Sequence, residues 1–242
     1  MTRGFLTVFG RMPVLEALED PAVAVERVLV ARTARGESVD AIVAAARARG
    51  VPLQKVAPEK VTRVSGNGRH DQGVVADVVA PGLAELGDWL AARPAEPVAL
   101  VVLDGVTNPA NVGMVVRTVT AAGLDGVVLP RAGSPDVGPL VVKASAGVAF
   151  RATVLGCDTP AAAVAELRHA GVECLGLRSD EAPSLFDAPV PDRAAFVLGN
   201  ETTGVAVEVD GWRAIPMANG VESLNVAVAA GLVAYEVARR RA

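Results

Sequence analysis

Val98–Leu103, VALVVL, is a six-residue run with no polar position, closed by Asp104-Gly105. A strand with one wet face alternates apolar and polar side chains. A strand with no polar position has both faces covered, as happens in a parallel sheet between helix layers. This run therefore restricts the chain to an α/β architecture. Further strand segments are predicted at Gly126–Leu129, Ala152–Leu155, Val172–Leu177, Ala194–Leu198 and Trp212–Pro216. Helical segments separate most of them, at Ala110–Ala122, Leu140–Gly147, Thr159–Ala170 and Ser223–Arg241. The alternation predicts a doubly wound parallel sheet over residues 97–242, with ligands at the carboxyl ends of its strands.

Residues 1–80 read as a smaller α/β domain. Strands are expected at 5–9, 27–31, 52–56 and 73–79, with helices at 13–19, 38–49 and 58–64. Between the last helix and strand lies an exposed polar turn, Ser65 to Gln72, carrying Arg69 and His70. Pro81, Pro94 and Pro97 punctuate residues 81–96, which read as a linker with one amphipathic helix presenting Leu83, Leu86, Trp89 and Leu90.

Hydrophobic residues make up 51% of the chain and charged residues 21%, which excludes a disordered protein. No apolar run approaches the roughly 20 residues of a membrane span, so no membrane partner and a cytoplasmic location are expected. Cys157, Cys174, His70 and His169 have no metal-ligand spacing, so no metal is expected. Residues 1–70 carry 11 Lys and Arg against 7 Asp and Glu, a net of +4. The remainder carries 12 against 20, a net of −8, which together give the overall −4. A basic first third on an acidic remainder suits contact with a polyanion, although +4 over 70 residues also suits a merely solvated surface.

Three polar clusters fall at predicted strand ends or helix starts. After the strand at 98–103 come Asn108-Pro109-Ala110-Asn111-Val112-Gly113, with Asn111 placed to cap the helix or reach a ligand. Arg117 follows among Val115, Val116, Thr118 and Val119. A charge in a helix built for burial is costly unless an anion meets it; the bland alternative is a surface arginine with its stem along the helix. The second cluster breaks Phe196-Val197-Leu198 at Gly199 into Asn200-Glu201-Thr202-Thr203-Gly204. The third runs from Ile215-Pro216-Met217 through Asn219-Gly220 to Ser223-Leu224-Asn225. Taken singly, these read equally well as a turn and an N-cap. No G-x-G-x-x-G follows the first strand and no Gly-Lys-Ser/Thr occurs, which disfavours the common NAD- and ATP-binding routes, a Rossmann oxidoreductase among them.

Asn111-x-Gly113-x-x-x-Arg117, Leu198-Gly199-Asn200-Glu201-x-x-Gly204, and Ile215-Pro216-Met217 followed by Ser223-Leu224-Asn225-Val226 resemble, in order, the three motifs of the SpoU/TrmH family. These are RNA ribose 2′-O-methyltransferases of the SPOUT class. Lys143 to Gly147 resembles the segment between the first two motifs. Phe9-Gly10-Arg11, Val14 to Leu18, and Gln72 to Val75 resemble the small ribosomal-protein-like RNA-binding domain of the RlmB-like branch. Asn108 stands where an acidic residue is common, Ala227 where Ser is frequent, and Asp71 between His70 and Gln72 where the branch often joins His to Gln.

The resemblance implies a deep trefoil knot in the C-terminal sheet, which periodicity cannot show. It implies S-adenosylmethionine as methyl donor, bound bent against the knot loops by Leu198, Gly199, Asn200, Ile215, Pro216, Met217 and Leu224, largely through backbone groups. It implies RNA as partner, ribosomal (23S) ahead of transfer RNA and with no role for DNA, and a homodimer with the active site at the subunit interface. The catalytic set would be Asn111, Arg117, Glu201, Ser223 and Asn225, with Arg11 and Arg69 on the RNA. Proposals for the family make the first-motif arginine a general base. A guanidinium stays protonated in ordinary surroundings, so Arg117 is expected instead to grip phosphate and stabilise the developing oxyanion, while Glu201, Ser223 and Asn225 orient it and the ribose. The different-class alternative is an RNA-binding assembly factor that has lost catalysis, against which the intact motif residues argue.

Overall fold

In a computed structural model of the chain, residues 5–80, 82–178 and 182–241 are described. The first four positions of the expected N-terminal domain, Pro81 at the head of the expected linker, and Ala242 lie outside them.

The smaller sheet has four strands: β1 (Phe5–Phe9), β2 (Ala24–Ala31), β3 (Leu53–Val56) and β4 (Val74–Val79), in the order β1-β4-β2-β3. The β1–β4 and β4–β2 pairs are antiparallel and β2–β3 is parallel. Helices α1 (Arg11–Glu19), α2 (Glu37–Ala48) and α3 (Pro58–Ser65) connect them. Arg49 fastens this unit: its guanidinium donates to the carbonyls of Ala17, Leu18 and Asp20 at 3.0–3.1 Å and of Val23 at 2.6 Å, serving acceptors that the end of α1 leaves open.

The larger sheet has seven strands, all parallel: β5 (Leu83–Glu85), β6 (Val98–Asp104), β7 (Gly126–Pro130), β8 (Val154–Cys157), β9 (Glu173–Arg178), β10 (Arg193–Gly199) and β11 (Gly211–Ala214). Every residue of β6 is buried. Ala99, Val101 and Leu103 enter one core, and Val98, Leu100 and Val102 the other, as the two-residue period of a strand requires. Helices α5 (Pro109–Ala121), α6 (Pro139–Ala144) and α8 (Val226–Arg241) cover the first face. Helices α4 (Leu86–Ala91) and α7 (Pro160–His169) cover the second.

The strand order is β11-β9-β10-β6-β7-β8-β5. The chain leaves β6 toward β7 and β8, and later β10 inserts between β6 and β9. Direction therefore reverses at the β6–β10 pair, so a ligand crevice is expected beyond Asp104 and Gly199, which are register partners.

One element differs from the sequence expectation. Leu83 is not on a helix with Leu86, Trp89 and Leu90; residues 83–85 form the edge strand β5, paired with β8, and the helix starts only at Leu86. Leu86 and Leu90 pack into the second core, so this part of the segment expected as a linker belongs to the large sheet.

Candidate functional site

At the end of β10 the chain folds back on itself. Asn200 N–H donates to the Gly204 carbonyl at 3.2 Å and Gly204 N–H to the Asn200 carbonyl at 2.8 Å, closing a tight turn over 200–204. A Cβ on Gly199 would lie 2.0 Å from the Gly204 carbonyl carbon and 2.2 Å from Val205 N, so only glycine permits this approach. The returning segment is latched from β6. Asp104, buried, accepts from Ala206 N at 2.6 Å and Val207 N at 3.0 Å through Oδ2. Asn200 Nδ2 donates to the Gly105 carbonyl at 2.9 Å. A buried carboxylate is tolerable here because two backbone N–H groups satisfy it.

Two helix starts face this turn. Asn108, and not Asn111, caps α5, accepting from Ala110 N at 2.9 Å. Asn111 sits inside the first turn, buried, and its amide bridges two segments: Nδ2 donates to Glu201 Oε1, and Oδ1 accepts from Asn225 Nδ2 at 3.2 Å. Asn225 in turn caps α8, accepting from Ala227 N at 2.9 Å through Oδ1 and from Ala229 N at 3.0 Å through its carbonyl. Ser223, where the sequence starts that helix, is exposed three residues before it. One residue from each of the three clusters thus joins a single hydrogen-bonded set.

Gly113 has a packing role. A Cβ there would lie 2.5 Å from the Val141 carbonyl oxygen and 2.6 Å from Ala144 Cβ, so α5 rests directly on α6. Ser145 behind it is fully buried, donating to the Val142 carbonyl at 2.8 Å and accepting from Ala149 N at 3.1 Å.

Arg117 departs from expectation. It is exposed, on the outer stripe of α5 with Ala110, Met114 and Ala121, while Val115, Val116 and Val119 take the core side. The burial cost argued from its apolar neighbours therefore does not arise: valines on either side in sequence are not neighbours on a helix surface. At about 100° per residue it points some 120° away from Asn111. No hydrogen bond or ion pair reaches it from the described residues.

Between the folded-back turn, the ends of β9–β11 and the start of α8 lies a cavity of about 620 Å³. Leu198, Gly199, Asn200, Ile215, Met217 and Leu224 line it, with Glu201 and Ser223; Pro216, Asn111, Asn225 and Arg117 do not. Six lining residues are not among those singled out from the sequence: Leu177, Arg178, Val205, Trp212, Glu222 and Ala229. Leu177 ends a strand expected from the sequence and Arg178 follows it, so the strand-end rule would have found both had it been applied to β9 as to β6 and β10. The cavity offers apolar walls with backbone edges and a charged rim, suited to a flat amphipathic ligand.

The two arginines expected on RNA lie in the smaller unit. Arg11 is anchored, donating from its backbone N to Gln72 Oε1 at 3.0 Å, from Nε to the Gln72 carbonyl at 3.3 Å and from Nη1 to Ser38 Oγ at 3.2 Å. Arg69 is exposed on the 67–70 turn. Asp71, inserted before Gln72, is buried and accepts from Thr62 Oγ1, Ser65 Oγ and Gly73 N, tying α3 to β4. Burial pushes the Cys157 thiol up to about 11 and the Cys174 thiol to about 12, so both stay protonated and unreactive. Among the described residues no three His, Cys, Asp or Glu gather to hold a metal, and no helix is long and apolar enough to cross a membrane.

Known proteins share the fold. Residues 99–235 match the SpoU rRNA Methylase family, and residues 7–83 match the RNA 2′-O ribose methyltransferase substrate-binding family. The chain is 33% identical over 241 residues to the 23S rRNA (guanosine-2′-O-)-methyltransferase RlmB of Xanthomonas axonopodis pv. citri, covering 97% of this chain and 96% of that protein. It superposes on the SpoU methyltransferase AviRb of Streptomyces viridochromogenes in complex with AdoMet, with a TM-score of 0.70, 26% identity and coverage of 98% and 91% of the two chains. For the AdoMet-bound rRNA methyltransferase of Sinorhizobium meliloti the TM-score is 0.68, with 26% identity and coverage of 99% and 88%.

Proposed function

Because the chain belongs to the SpoU rRNA methylase family, we propose that it methylates a ribose 2′-hydroxyl of 23S ribosomal RNA with S-adenosylmethionine as donor. The observation that carries this reading is the hydrogen-bonded set Glu201–Asn111–Asn225 beside a cavity lined by Leu198, Gly199, Ile215, Met217 and Leu224. The residues fit the donor: the apolar wall suits an adenine, the strand ends offer backbone groups to its edges, and Glu201 and Glu222 complement a cationic sulfur. Bound there, S-adenosylmethionine supplies a methyl group already activated by its sulfonium.

The protein's task is then alignment and charge. Asn111 fixes the Glu201 carboxylate, which accepts a hydrogen bond from the ribose hydroxyl and aims its oxygen in line. Ser223, at the rim, steadies the ribose, and Asn225 locks Asn111. Arg117 binds RNA phosphate and stabilises the charge that develops on the attacking oxygen. Its outward position on α5 favours service to a second subunit. Met114, Val228 and Tyr235, 40%, 51% and 57% exposed on α5 and α8, give a second copy of the chain an apolar surface to cover. The fold-back at Gly199, latched by Asp104 and Gly105, favours a trefoil knot. Residues 1–80 act as the ribosomal-protein-like RNA-binding domain, with Arg11 and Arg69 toward the RNA; the methyltransferase domain is 97–242 together with β5 and α4 from the segment 81–96. A chain acting on ribosomal RNA works in the cytoplasm.

The test is to incubate the purified protein with S-adenosylmethionine and total RNA from a strain lacking the gene, then map ribose methylation. One new 2′-O-methyl nucleotide in 23S RNA is expected. Methylation confined to transfer RNA would overturn the substrate, and none in any RNA would overturn the activity.

A further inference from the structure

The turn over 199–205 forms one wall of the cavity, and its two feet are held differently. The incoming foot is β10, paired in register with β6 as far as Gly199 and Asp104. The outgoing foot, Val205 to Val207, belongs to no strand, and among the described residues no backbone–backbone hydrogen bond reaches it. Its polar tie is one side chain: Ala206 N–H and Val207 N–H both donate to Oδ2 of Asp104, at 2.6 and 3.0 Å. Val205 and Val207 also pack against the second core, but apolar packing is non-directional, so the two hydrogen bonds set where the backbone sits.

Asp104 is 6% exposed and forms no ion pair with a described residue. A buried carboxylate without a counter-cation is costly, and here the offset comes from the N–H groups of the cavity wall. Asp104 does not itself line the cavity. Resting on the methyl-donor reading above, we propose that Asp104 is a positioning residue for the donor: by fixing the outgoing foot it holds the wall in its ligand-ready shape before the donor arrives. A wall ordered in advance spares the donor the entropy of ordering it. Asn111 grips Glu201 of the same turn separately, so the two residues divide the work. Asp104 governs donor affinity, and Asn111 governs the placement of the Glu201 carboxylate.

Titration and steady-state turnover of the full chain carrying Asp104→Ala or Asp104→Asn test it. Asp104→Ala leaves both N–H groups unpaired. It is expected to raise Kd about ten- to hundred-fold, equally for S-adenosylmethionine, S-adenosylhomocysteine and 5′-methylthioadenosine, because the wall and not one ligand group is disturbed. Turnover at saturating donor should stay within about three-fold of wild type. Asp104→Asn, whose side-chain oxygen can accept both hydrogen bonds, should keep Kd within about five-fold. Unchanged affinity in Asp104→Ala, a loss of kcat without a loss of affinity, or an Asn variant as weak as the Ala variant would overturn the assignment. Should Asp104→Ala not fold, amide exchange in the ligand-free wild type decides. Ala206 and Val207 protected as well as β10, and no better protected with S-adenosylhomocysteine bound, is the expected result; exchange as fast as at the exposed Thr203 would overturn it. Wild-type protein that bound none of the three ligands would instead overturn the methyl-donor reading, and this inference with it.

Discussion

Asn225 donates its side-chain N–H to Oδ1 of Asn111 at 3.2 Å, across 114 residues of sequence, while its own Oδ1 caps the helix that follows. The same Asn111 holds Glu201 with its other end. A single amide thereby sets the spacing of three chain segments, and neither asparagine lines the cavity. Removing Asn111 should therefore harm chemistry more than donor binding. Asn111→Ala is expected to lower kcat about a hundred-fold with the donor Kd within about three-fold, read from steady-state kinetics beside direct titration. An equal loss in both quantities would make Asn111 a part of the cavity wall instead.

Glycine substitutions at two helix positions should have opposite signs. At Gly113 a methyl group meets the Val141 carbonyl at 2.5 Å, and backbone cannot step aside, so Gly113→Ala should cost about 1–3 kcal/mol. At Gly231, inside α8, the nearest atom would be Thr118 Cγ2 at 3.6 Å, an ordinary contact. Gly231→Ala should stabilise by about 0.5–1 kcal/mol through helix propensity alone. Urea unfolding midpoints of the two variants check both signs.

The carboxyl of Glu236, buried on α8, is held down to about 2 by hydrogen bonds from Arg239, with Arg240 adding to the effect and burial opposing it. Arg240 also donates to the Phe186 carbonyl at 2.6 Å, so this pair fastens the end of α8 to the segment before β10. A carboxylate with a depressed folded value contributes stability that is fully present above its unfolded value, near 4.5, and is lost as pH falls through about 2. Glu236→Gln should thus be less stable than wild type at neutral pH, with the gap narrowing from about pH 4.5 downward. A gap independent of pH would show that the contribution is packing.

The parts of this molecule legible in its sequence are those fixed by periodicity or by backbone chemistry. β6 announces its burial because all seven of its positions are covered, and each of its faces meets a different core. Gly199 and Gly113 mark close approaches that a Cβ would block. Side-chain partnership was harder to read. Asn108, Asn111, Ser223 and Asn225 are all good caps, and which of them caps depends on where the helix begins, a matter of one or two residues. Leu83 fits the apolar stripe of the helix after it, but it is drawn into β5 by the open edge of β8, which lies some seventy residues later and which local propensity cannot register. Trp212 and Arg178 meet only because β11 and β9 pair.

Arg117 gives the sharpest test of how the site is assembled. On the outer stripe of α5 it faces away from the Asn111–Glu201 set of its own chain, so if it completes a site, that site belongs to another copy. Two variants, Arg117→Ala and Glu201→Ala, should each be nearly inactive alone. If each active site combines Glu201 of one subunit with Arg117 of the other, a mixed dimer carries both lesions in one site and leaves its second site intact. Mixing the two proteins after reversible dissociation should then restore about a quarter of wild-type activity, since about half the dimers are mixed and half of their sites are whole. No recovery, with subunit exchange verified by differently sized tags, would place Arg117 at its own chain's site and require α5 to turn. Arg117→Lys adds the chemical half of the argument: a stabilising cation predicts reduced turnover with an unchanged pH profile, whereas near-normal turnover with a lowered pH optimum, as the less basic lysine requires, would make residue 117 the base.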